Sequence, residues 1–148
     1  MKTHIGTKII DAAREDRGAS VTGDQGEGYK VVYQDGYESW SPRAVFEETY
    51  QPLDAMSFGH AIVMLKLGRK VARAGWNGKG MFLILVPGTP SIEPREGTPY
   101  HTALGADPIE ILPHIDMWTV NADGRRAMLP GWLASQTDML ADDWIVID

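Results

Sequence analysis

Phe58, Ala61, Ile62 and Leu65 recur at the i, i+3, i+4 and i+7 spacing of one helical face, because 3.6 residues per turn bring those positions into a single stripe. Ser57 stands just before the stripe as a cap, and Gly68 stands where the helix should stop. A helix with one apolar face must lay that face on another element. Val71–Arg73, Met81–Val86, Ile115–Val120 and Trp144–Ile147 are short runs of β-branched, aromatic and other apolar residues that read as strands. Asn77-Gly78 fits a tight turn with positive φ, and Asn121–Gly124 another. The expected fold class is α+β, with small antiparallel sheets and short helices.

The stripe belongs to a second unit, residues 56–148, and a first unit occupies residues 1–53. In the first, Gly28–Tyr33 and Tyr37–Trp40 flank Gln34-Asp35-Gly36, a hairpin signal. Ser41-Pro42 predicts a cap followed by proline at the first helical position, opening a helix through Tyr50 that Pro52 ends. Gly18–Gly28, with four glycines, reads as a mobile loop. Tyr29, Tyr33, Tyr37 and Trp40 fit cross-strand packing better than a ligand face. This module of hairpin and helix carries no recognisable chemistry. In the second unit, residues 87–113 hold six of the nine prolines and are expected to be a long loop without regular structure, functional or an oligomer arm.

Composition narrows the function. With 148 residues and 43% apolar content the chain can build a real core. The absence of cysteine excludes disulfides and thiolate zinc sites, and His4, His60, His101 and His114 lack ligand-like spacing, so no metal or cofactor is expected. Met1–Ile5 has no apolar signal core and no run is long enough to span a membrane, so a cytoplasmic protein without membrane contact is expected. A net charge of −6 argues against nucleic-acid binding. The charge is uneven, however: residues 57–92 carry Lys66, Arg69, Lys70, Arg73 and Lys79 with no acid, an island that could steer a small anion. The same residues could equally be a solvated helix end and a basic hairpin.

No phosphate-binding glycine loop, dinucleotide fingerprint, nucleophile elbow or zinc pair is present. Asp142-Asp143 reads as a solvated pair rather than an acid/base couple. Ser135-Gln136-Thr137-Asp138 matches a capping box opening a short helix within Trp132–Trp144, and Gln136 and Thr137 add hydrogen-bonding capacity for ribose or phosphate. Trp76 and Trp132 lie beside turns, where either the core, a partner subunit or a flat ligand must cover them. Trp76, between Gly75 and Asn77-Gly78, could present its indole outward next to Arg73 and Lys79. Trp118 and Trp144, in strands, read as core.

Three ordered motifs, Met56–Ile62, Gly68–Met81 and Trp132–Trp144, resemble the Thoeris anti-defense 2 family of phage and prophage proteins across about residues 56–148. The resemblance implies a small α+β domain, assembled as a homotetramer with pockets between protomers. It also implies a sponge that holds cyclic ADP-ribose-type immune signals, and in some members cyclic dinucleotides, without cleaving them. Carried over by motif, Phe58, Trp76 and Asn77 would contact the purine, and Ser135, Gln136, Thr137 and Asp138 would meet ribose and phosphate. Residues 1–53 and the proline-rich 87–113 depart from the short family members.

The two readings meet on a ligand set of Phe58, Arg73, Trp76, Asn77, Lys79, Trp132, Ser135, Gln136, Thr137 and Asp138, with no catalytic residue and no cofactor. The rivals are a hydrolase of the same nucleotide, using Asp138 or Asp142 as base, and a structural or interaction protein whose tryptophans are interface core.

Overall fold

A computed structural model describes residues 1–18, 26–76 and 80–147. They divide into two units, Met1–Gln51 and Pro52–Asp148.

In the first unit β1 (Ile10–Arg14), β2 (Gly28–Tyr33) and β3 (Glu38–Pro42) form an antiparallel sheet in that order. The expected turn closes as Gly36 N–H donates to the Tyr33 carbonyl at 2.9 Å. Most of the expected glycine-rich loop, residues 19–25, lies outside the described residues. Helix α1 (Arg43–Thr49) starts one residue later than the sequence suggests. Ser41 does not cap it: Ser41 pairs with Tyr29 and Pro42 with Gly28, so both are spent on the ladder, and the Pro42 cap position has no side-chain hydrogen bond. A proline tolerates the end of a strand because its missing N–H is not needed there. Tyr29 stacks on Phe46 at 4.1 Å between centroids, Phe46 on Tyr50 at 5.0 Å, and Tyr33 tilts against Tyr37 at 5.7 Å, with Tyr37 largely exposed.

The second unit begins with α2 (Phe58–Lys66), capped as expected by Ser57 Oγ, which accepts from His60 N–H at 3.4 Å. Then follow β4 (Lys70–Arg73), β5 (Phe82–Val86), β6 (Thr89–Ile92), α3 (Pro99–Leu104), β7 (Ile109–Ile111), β8 (His114–Val120), β9 (Arg126–Leu129), α4 (Gln136–Met139) and β10 (Trp144–Ile147). The main sheet has the order β10-β4-β5-β8-β9, all antiparallel. Helix α2 lies on β10, β4 and β5. The core is Met56, Ala61, Met64, Leu65, Val71, Leu83 and Trp144, with Phe58 and Ile62 from the predicted stripe partly buried against it. Each fully buried large side chain here is worth about 1.5–3 kcal/mol of transfer free energy.

Residues 87–113 are not the structureless loop expected. Strands β6 and β7 pair as a two-stranded arm, and α3 lies between them. Two of its prolines sit where a missing donor does little harm: Pro90 at the register shift between Thr89 and Ile92, and Pro99 at the first position of α3 behind the Thr98 cap. Gly88 makes the neck of the arm, with φ +82 and room for no side chain, since a Cβ would lie 2.5 Å from the Ile111 carbonyl oxygen. No helix among the described residues is long and apolar enough to cross a membrane.

Candidate functional site

Four aromatic rings from four distant segments meet at one end of α2. Trp144 is fully buried. Trp76 and Trp132 lie edge-on to it at 5.5 and 6.2 Å, and Phe58 tilts against it at 5.3 Å. Trp76 and Trp132 meet at 6.2 Å, Phe58 and Trp132 at 6.3 Å. Edge-to-face contacts of this kind put positive ring edges on negative ring faces. Phe58, Trp76 and Trp132 are half-buried, so the cluster is core at Trp144 and partly accessible at the other three rings. Trp76 is therefore not an indole held out alone beside a turn: its edge packs on two tryptophans.

Polar groups bind this cluster to α4. Asp138 Oδ1 accepts from Arg73 Nη1 at 2.9 Å and from the Trp76 indole N–H at 3.3 Å. Its Oδ2 accepts from Ser135 Oγ at 2.7 Å and from Ser135 N–H at 3.3 Å, which with Asp138 N–H to Ser135 Oγ completes the expected capping box. The Trp144 indole N–H donates to the Asp138 carbonyl at 3.0 Å. Arg73 also reaches Asp143 through Nε at 2.8 Å, and Asp143 accepts Gly75 N–H at 2.9 Å.

Burial pushes the Asp138 carboxyl up, but hydrogen bonds from Ser135, Arg73 and Trp76 outweigh it and hold the group below its ordinary range. The Arg73 hydrogen bond does the same for Asp143, against a smaller effect of burial. Arg73 is correspondingly raised by Asp143 and Asp138.

The structure thus brings together Phe58, Arg73, Trp76, Trp132, Ser135 and Asp138 from the predicted set, and adds Trp144 and Asp143. Gln136 and Thr137 follow on the exposed first turn of α4. Asn77 and Lys79 lie outside the described residues. Two expectations change. Arg73 spends its charge between two carboxylates, so it does not serve as an open cation of the basic island. Asp143 is Arg73's partner, whereas Asp142 is exposed as expected. The signal was available in principle: an arginine and an acid at the ends of two adjacent strands, once the β10–β4 register is known. Among the described residues no group of three or more His, Asp or Glu side chains could hold a metal ion.

Residues 56–147 match the family model described as the Thoeris anti-defense 2-like domain. The chain belongs to this family. It is 35% identical over 92 residues to a protein named Thoeris anti-defense 2 from Bacillus phage SP01, covering 62% of this chain and 94% of that one. Membership supports a phage anti-defence role for the chain. The matched span contains every ring of the aromatic cluster and the whole Arg73–Asp138–Asp143 network, while the first unit lies outside it.

Proposed function

We propose that the second unit is a non-catalytic sponge that binds and sequesters a cyclic ADP-ribose-type immune signal, with cyclic dinucleotides as the second ligand class to test. The observation that carries this reading is the family match over residues 56–147. The half-buried faces of Trp76, Trp132 and Phe58 support it, since a purine stacked on an aromatic ring contributes about 1–3 kcal/mol. Gln136 and Thr137, exposed at the margin of α4, offer neutral hydrogen bonds to ribose. Arg73 is held between Asp138 and Asp143, so this reading gives its guanidinium no role in binding the phosphates.

Sequestration works by mass action, and nanomolar affinity corresponds to about −12 kcal/mol. One protomer's open aromatic surface is a modest source for that, and pockets completed by other copies in a homotetramer would exclude more water. Leu133 and Leu140, 89% and 81% exposed beside the cluster in sequence, are apolar surface of the kind a second copy would cover.

The hydrolase alternative is the weaker one. Both oxygens of Asp138 accept two hydrogen bonds each, and a carboxyl held below its ordinary range is a poor proton acceptor. Incubating the protein with a cyclic ADP-ribose isomer, denaturing it by heat and analysing the supernatant tests the proposal. Intact ligand released on heating is the expected result; altered ligand would identify an enzyme, and no retention a purely structural protein.

A further inference from the structure

Asp116 is the one buried charged side chain among the described residues, 7% exposed in the middle of β8. The ligand reading gives it no part. A carboxylate taken out of water is unfavourable unless hydrogen bonds replace its hydration, and a strand position of this kind would suit valine or threonine. Its contacts explain it. Oδ1 accepts the Gly131 N–H at 3.1 Å and faces His114 Nε2 at 3.5 Å. The next amide, Trp132 N–H, donates to the Ile115 carbonyl at 2.7 Å. Two consecutive amides of one loop are thus held by two consecutive residues of β8.

Little else holds that loop. Leu129 and Leu133 on either side of it are largely exposed, as are Pro130 and Gly131. The Trp132 indole alone turns inward, onto Trp76, Trp144 and Phe58. Gly131 adopts φ +78, which L side chains rarely take, so the peptide at which the chain turns is the one the carboxylate grips. His114 Nδ1 lies 2.8 Å from the Leu112 carbonyl, which can only accept, so the ring donates there, and Nε2 is a neighbour of Asp116 Oδ1 at 3.5 Å. Leu112 ends the β6–β7 arm, so the arm, His114, Asp116 and the Trp132 loop form one chain of contacts.

We propose that Asp116 is a positioning residue for the aromatic site: it fixes the Pro130–Gly131 peptide, next to the Trp132 amide held by Ile115, and thereby the tilt and depth of the Trp132 ring. This rests on the reading that Trp132 meets the ligand.

The test uses the full chain with Asp116→Ala and Asp116→Asn, followed by amide and indole N–H correlation spectra without ligand and by titration with a cyclic ADP-ribose isomer. Asparagine keeps an acceptor for Gly131 N–H; alanine does not. The expected result is that Asp116→Ala displaces the Gly131 amide and Trp132 indole signals and weakens binding about tenfold or more, while Asp116→Asn restores both to near the parent values. Unmoved Gly131 and Trp132 signals in Asp116→Ala overturn the inference, as does parent-like affinity. If the parent protein binds no isomer, the sponge reading fails and the spectra alone decide the positioning role. Should Asp116→Ala not fold, Asp116→Leu, closer in volume and without an acceptor, carries the same comparison: shifts of the same two signals support the role, and none overturns it.

Discussion

The Trp76 indole N–H and the Arg73 guanidinium share one acceptor, Asp138 Oδ1, at 3.3 and 2.9 Å. A ring that faces the proposed ligand is thereby fastened to an ion pair whose two side chains are only 16% and 14% exposed. Ligand geometry and the stability of the α4 end of the domain are coupled through that oxygen.

Replacing Arg73 by alanine leaves Asp138 and Asp143 facing each other without a cation, in a partly dry setting. The expected loss is about 2–4 kcal/mol, below the full figure for a buried pair because Asp143 retains some solvent. Denaturant titration measures it. A loss under about 0.5 kcal/mol would show that the network is only a surface feature.

Acid should weaken the second unit through the same two carboxylates. Both are held below their ordinary range when folded, so their contribution is complete above the unfolded carboxylate pKa of about 4 and is lost as pH falls through the lower folded values. Stability should therefore decline from about pH 5 downward, and Asp143→Asn should flatten the slope. Thermal melts across that range check the sign: stability that rises with acid contradicts it.

Trp76 and Trp144 should separate by mutation. Trp144→Ala removes a fully buried ring and should cost about 3–5 kcal/mol of stability. Trp76→Phe keeps an aromatic edge for Trp132 and Trp144 but drops the bond to Asp138, so the fold should lose only about 1 kcal/mol. Affinity for a cyclic ADP-ribose isomer should fall with it if the indole carries the stacking. Calorimetric titration and unfolding on the same samples distinguish these, and unchanged affinity would remove Trp76 from the proposed site.

Leu133→Glu should break assembly without unfolding the protomer, since its side chain is 89% exposed and contributes little to the core. Light scattering should report an oligomer for the parent and a smaller species for the variant. A parent that is monomeric at micromolar concentration would leave the site to one protomer.

What the sequence determined by itself is what depends on neighbours within about four residues. Helix α2 and its Ser57 cap, the Ser135–Asp138 capping box and the Asp35-Gly36 turn each close hydrogen bonds inside a single turn, so spacing and residue type suffice to show them. The family motifs are legible for a similar reason, being short and ordered. What only the tertiary structure decided is set by register between distant segments. Pairing Trp144 with Arg73 across the β10–β4 ladder places Asp143 on the guanidinium, 70 residues away in the chain, and turns an apparently solvated acid into a structural partner. That strand also sets Trp144 in the core, where Phe58, Trp76 and Trp132 from three other segments meet it. Ser41 shows the converse, a good local cap overruled because Tyr29 claims it for the sheet. In 87–113 proline density argued against order, yet β6 and β7 pair and α3 forms, with Pro90 at a shift in register and Pro99 at a helix start. Asp116 lay in a predicted strand with nothing local to mark it, because the amide it holds, Gly131, arrives only when β9 has paired with β8 and the chain has turned back over the sheet end.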